Sequence, residues 1–129
     1  MEEKDILALH PLRLAYIGDA VYDLYVKKHE VESGLKLKAV HQCTTKLVRA
    51  SSQAKLTEIL RPHLTEEEED IIRKGRNAQA KHSAPKSASS AEYSMSTGLE
   101  ALIGFLHLTG RDDRAEALFD IIFAHESEV

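Results

Sequence analysis

A chain of 129 residues, 43% hydrophobic and 29% charged, has the balance of one folded domain spanning residues 1–129 around one core, and it excludes a largely disordered chain. No apolar run approaches the ~20 residues needed to cross a bilayer, and the acidic start Met1-Glu2-Glu3-Lys4-Asp5 lacks the basic and apolar segments of a secretory signal, so the expectation is a cytoplasmic protein with no membrane partner. The formal charge of −4 excludes a uniformly basic nucleic-acid binder but not a local basic patch.

Between Pro11 and Val31 the apolar residues Leu14, Ile17, Val21, Leu24 and Tyr25 recur at helical spacing on one stripe, with Pro11 tolerated in the first turn. Glu32-Ser33-Gly34 breaks this helix. Helical pattern resumes from Lys36 to Leu60 in one or two pieces, with Leu37, Val40, Leu47, Val48, Leu56, Ile59 and Leu60 as core candidates, until Arg61-Pro62-His63 ends it. The single cysteine in this stretch, Cys43, excludes an internal disulfide and a zinc site built on cysteines, and reads as a buried thiol. Thr65-Glu66-Glu67-Glu68 fits a capping box, with acids in the first turn to match the helix dipole, so the acidic run reads as a capped, solvated helix start. After Arg76 the chain is rich in Ala, Ser and Lys up to Ser90, without apolar periodicity, and reads as a long exposed loop. From Ser94 to Leu108 the pattern is apolar again: Leu99, Leu102, Ile103 and Leu106 share a stripe, and Gly98 and Gly104 permit close helix packing, before Thr109-Gly110. A last helix over Asp112 to Ala124 turns Ala115, Leu118, Phe119 and Ile122 inward. With no strand pattern, an all-α bundle of roughly five to seven helices follows.

Two acids sit among small and apolar neighbours on these helices. Asp19 lies in Tyr16-Ile17-Gly18-Asp19-Ala20-Val21, and Glu100 in Thr97-Gly98-Leu99-Glu100-Ala101-Leu102-Ile103-Gly104. Such settings rarely host an ionised acid without a partner. Spacing alone favours a structural cap or salt bridge for each. Asp23 stacks one turn above Asp19. From Ile71 to Ala91, Arg73, Lys74, Arg76, Lys81 and Lys86 occur with no acid between them, a local basic patch. The seven histidines show no metal-ligand spacing, and no Ser, His and Asp group as a triad.

Leu14-Ala15-Tyr16-Ile17-Gly18-Asp19-Ala20-Val21 resembles the signature of the ribonuclease III family. Leu99-Glu100-Ala101-Leu102-Ile103-Gly104 resembles that family's second acidic motif, and Gly75-Arg76-Asn77-Ala78 with Lys81 and His82 resembles the basic segment between them. The order and separation match from Leu7 to Leu108. The resemblance implies an all-helical, homodimeric endonuclease domain that hydrolyses double-stranded RNA, with Asp19 and Glu100 as catalytic magnesium ligands. It leaves Asp23 as a candidate for supporting a ligand. Manganese suits the same carboxylate and water ligands. Ala15 and Thr97 stand where the family usually has Glu and Asp, a simplification shared with the Mini-ribonuclease III branch, which also lacks a separate RNA-binding domain. Membership of that branch implies maturation of large-subunit (23S) ribosomal RNA precursor, with a large-subunit ribosomal protein as a partner on the RNA. A-form RNA is recognised mainly through phosphates and 2′-hydroxyls, so Arg76, Asn77, Lys81, His82 and Lys86 are the expected RNA-binding set, extended by Lys46 and Arg49. Tyr16, Ile17 and Tyr22 are candidates for the dimer interface, with core packing as the equal alternative for each. The rival readings are a non-catalytic double-stranded RNA-binding protein on a degenerate nuclease fold and a helical adaptor.

Overall fold

The computed structural model describes residues 1–82 and 89–129. Among them are seven α-helices and no strand: α1 (Glu3–Leu7), α2 (Pro11–Glu32), α3 (Leu37–Val48), α4 (Ala50–Leu60), α5 (Glu66–Gln79), α6 (Ser90–Leu108) and α7 (Asp112–Ala124). Short 3-10 turns lie at Arg61–His63 and Glu126–Glu128. The all-α expectation is met.

The helix boundaries follow local chemistry. His10 caps α2, its Nδ1 accepting from the Leu12 amide at 3.1 Å, and Pro11 occupies the first turn, where its missing N–H is no loss. Gly34, at φ +78°, adopts the left-handed backbone that stops the chain from continuing as helix. The α3 and α4 segments are separate because Arg49 is extended, at φ −71° and ψ 148°, between them. Thr65 and Glu68 form the expected reciprocal capping box at α5.

Two boundaries differ from the sequence reading. Helix α5 runs on to Gln79, so the residues from Asn77 to Gln79 are helical rather than in a loop. Helix α6 begins at Ser90, because Ser89 and Glu92 form a second capping box that outweighs the lack of apolar periodicity there.

Helix α6 is the central element, with α2, α4 and α5 packed around it. Leu99, Ala101, Leu102, Ile103, Phe105 and Leu106 are fully buried, as expected of a helix enclosed on all sides. Ala115, Leu118, Phe119 and Ile122 of α7 close the core as read from the sequence. The stripe assigned to α2 is corrected: Leu14 and Val21 are buried, but Ile17 and Leu24 are exposed. The inward line instead runs through Leu14, Gly18, Tyr22 and Val26. A count of bulky apolar side chains gives Gly18 no weight, yet its bare backbone makes the closest approach to α6. Leu37 is also exposed rather than in the core.

Candidate active site

Helices α2 and α6 cross backbone to backbone at Gly18 and Gly104. A methyl group on Gly18 would fall inside the Glu100 carbonyl, and one on Gly104 inside the Leu14 carbonyl. A second glycine contact, Gly98 against the Ile72 carbonyl and Gly75 against Ala101, seats α5 on the same helix. These crossings draw together side chains far apart in sequence. Asp19 follows Gly18 directly, and Glu100 lies one turn before Gly104, so both carboxyls face one cleft of about 440 Å³.

The cleft wall comes from four helices and the joint between α3 and α4. Helix α2 supplies Ala15, Tyr16 and Asp19; the joint, Arg49; α4, Gln53; α5, Gln79; α6, Tyr93, Thr97 and Glu100. Asp19 is exposed and Glu100 half-buried. Burial, reinforced by contact with the Asp19 carboxylate, pushes the Glu100 carboxyl up to about 9, while hydrogen bonding from Gln53 partly opposes the shift. Tyr22 beneath them is buried, donates its hydroxyl to the Leu47 carbonyl at 2.9 Å, and has its pKa raised by burial and by the Glu100 charge.

Two carboxyls in hydrogen-bonding reach, one of them desolvated, cannot both ionise unless a cation joins them. The donor set therefore fits a hard divalent ion, which prefers carboxylate oxygens and water. Ala15 and Thr97 line the same cleft, so the chain's two departures from the acidic pattern lie in the wall of this site. Thr97 is buried and donates its hydroxyl to the Tyr93 carbonyl at 3.0 Å.

Other residues singled out from sequence are distributed differently. Asp23 is not part of the cleft wall; its carboxylate pairs with Lys27 at 2.7 Å. Arg76 lies in a separate depression with Arg61, Glu69, Asp70 and Arg73. Asn77 is exposed on α5, and Lys81 and His82 are exposed in the turn that follows Gln79. Lys86 lies outside the described residues. Arg49 lines the cleft, whereas Lys46 does not. Cys43 is half-buried, and Tyr22 belongs to the core rather than to an exposed interface.

Gln53 and Gln79 were not anticipated. Gln53 is 2% exposed, and a signal for it existed: it shares the inward face of α4 with Leu56 and Leu60, where a polar side chain needs a buried partner. Gln79 carried no such signal.

The Ribonuclease III domain family matches residues 12–111 of this chain. Among similar proteins are Mini-ribonuclease 3 of Symbiobacterium thermophilum, 47% identical over 84% of this chain and 83% of that protein, and Mini-ribonuclease 3 of Staphylococcus aureus, 42% identical over 98% and 96%. A crystal structure of a Fusobacterium nucleatum protein superposes with a TM-score of 0.84 at 26% identity, covering 95% of this chain and 98% of that one.

Proposed function

The chain belongs to the ribonuclease III family, and from that premise we propose that this endoribonuclease hydrolyses double-stranded RNA at the Asp19–Glu100 cleft, with magnesium as the working ion and the ends of large-subunit (23S) ribosomal RNA precursor as the substrate. The observation that carries the reading is the pairing of Asp19 with a half-buried Glu100 across the α2–α6 crossing.

A bound divalent ion supplies Lewis-acid chemistry, neutralising charge on the scissile phosphate and the departing oxygen. Asp19 and Glu100 would hold it, and manganese suits the same ligands. Glu100 must give up its proton on loading, and Gln53 steadies the resulting carboxylate. Arg49, in the wall of the same cleft, is placed to attract the RNA backbone. Asn77, Lys81 and His82, exposed at the end of α5 and beyond it, are proposed to extend that contact, with Lys86 and Arg76 as the outlying members of the set.

Both strands of a duplex are cut when two such sites act together, so a homodimer is part of the reading. The exposed Tyr16 and Ile17 support an interface on α2. A large-subunit ribosomal protein on the RNA is the proposed further partner.

The test uses an RNA duplex, and a precursor stem, with magnesium and then with chelator. Asp19→Asn and Glu100→Gln variants that fold as the wild type are run beside it. Metal-dependent cleavage leaving short 3′ overhangs, lowered at least about a thousandfold in both variants, is the expected result. Duplex binding without cleavage under magnesium or manganese would replace the nuclease with an RNA-binding protein.

A further inference from the structure

About ten residues further along α2, some 15 Å from Asp19 at the helical rise, a second group of ligand-type side chains comes together. His29 and Glu30 at the end of α2 meet Glu126 of the C-terminal 3-10 turn, with one nitrogen or oxygen from each within 4.8 Å of the other two. His29 Nε2 stands 3.6 Å from Glu126 Oε2. The imidazole is held flat against Phe123, ring centroids 3.7 Å apart and 3° from parallel, so its orientation is set by packing rather than by solvent.

Glu30 is the anomalous member. It is 2% exposed, and its Oε1 has no hydrogen-bond partner among the described residues. Its polar neighbours are a second carboxyl, Glu126, and the thiol of Cys43. Among the described residues no lysine or arginine forms an ion pair with Glu30 or Glu126; the one such contact is His29 with Glu126. A buried carboxyl oxygen without a partner is destabilising, more so when charged, and calls for an ion or another ligand.

We propose that His29, Glu30 and Glu126 bind a divalent cation of the zinc class, separate from the catalytic cleft, and that this ion ties the C-terminal turn to the end of α2. One neutral imidazole and two carboxylates balance the charge of such an ion. Zinc accepts mixed nitrogen and oxygen ligands, whereas magnesium favours oxygen alone. Tetrahedral zinc, with bonds of about 2.0–2.1 Å, sets its ligand atoms ~3.4 Å apart. The His29–Glu126 pair, at 3.6 Å, is near that spacing, and Glu30, within 4.8 Å of both, closes in on binding.

The test begins from the full chain carrying Asp19→Asn and Glu100→Gln, stripped of metal, so that the cleft acids do not compete for the ion. Equilibrium dialysis against zinc with elemental analysis should find one ion per chain, and the melting midpoint should rise by about 10 °C at zinc a hundredfold over Kd. Magnesium at the same concentration should leave it unmoved. His29→Ala and Glu126→Gln alter partly exposed side chains, and circular dichroism checks that each variant folds. Each should weaken zinc binding at least about tenfold and cut the thermal shift to about half or less. Zinc that fails to bind, or that binds equally well in both variants, overturns the proposal.

Discussion

Glu100 keeps a proton that most glutamates release well below neutral pH. Its folded-state value near 9, against an ordinary 4.5, comes first from burial and then from Asp19. In metal-free protein the native state therefore binds more protons than the unfolded chain across that window. This contribution to stability is complete below about pH 4.5 and is lost as pH rises through about 9. Glu100→Gln, which imitates the neutral carboxyl, should melt within a few degrees of the wild type at pH 5 and on the order of 10 °C or more higher at pH 8, while cutting no RNA. Calorimetry across the range checks it: parallel melting curves from pH 5 to 9 would show that the desolvated carboxyl is not what limits stability. Gln53 belongs to the same account, since its hydrogen bond to Glu100 partly opposes the upward shift.

At the scale of elements, the crossing of α2 on α6 decides where the acids meet. Gly18→Ala would drive a methyl group into the Glu100 carbonyl, at a backbone contact that no side-chain rotation relieves. The expected destabilisation is about 3 kcal/mol or more, seen as a lower denaturant midpoint. An alanine that leaves the midpoint unchanged would mean that the two helices can part without cost. The acidic start of α5 has a structural explanation: Thr65 and Glu68 cap the helix, and the buried Glu68 takes hydrogen bonds of 2.8 Å from Arg114 on both oxygens. These contacts, led in their effect by the Arg114 hydrogen bonds, overcome the upward push of burial and hold Glu68 below its usual range. Glu67 and Asp70 are likewise paired, with Arg111 and Arg73. The basic patch is correspondingly smaller than its cation count suggests, because Arg73 is already engaged.

For the whole molecule, the outer face of α2 is the telling feature. Ile17, Leu24 and Val31 recur every seventh residue and are exposed at 38%, 65% and 66%, a line that a second copy of the chain would cover. For the proposed dimer, Leu24→Glu is expected to give monomers in sedimentation velocity where the wild type gives dimers, and to lower duplex cleavage at least about tenfold, because the proposed pair of sites would be lost. A variant that stays dimeric would place the interface elsewhere. No helix of the described residues is long and apolar enough to cross a membrane.

Helix class, most helix boundaries, the core of α6 and α7, and the two acidic motifs were legible in the sequence, because each is a local pattern: apolar periodicity, capping residues, or acids among small neighbours. The inward face of α2 was not, since glycine leaves no hydrophobic trace while permitting the closest packing. The split of the basic residues was equally hidden. Whether Arg49 faces the cleft and Arg76 a separate depression depends on how helices are rotated against one another. Sequence determined which chemical groups the chain carries and which helices carry them. Only the tertiary structure decided that Gln53 joins Asp19 and Glu100 in one cleft where Asp19 stays exposed and Glu100 is desolvated, because proximity and burial are properties of helix crossings between segments distant in the chain.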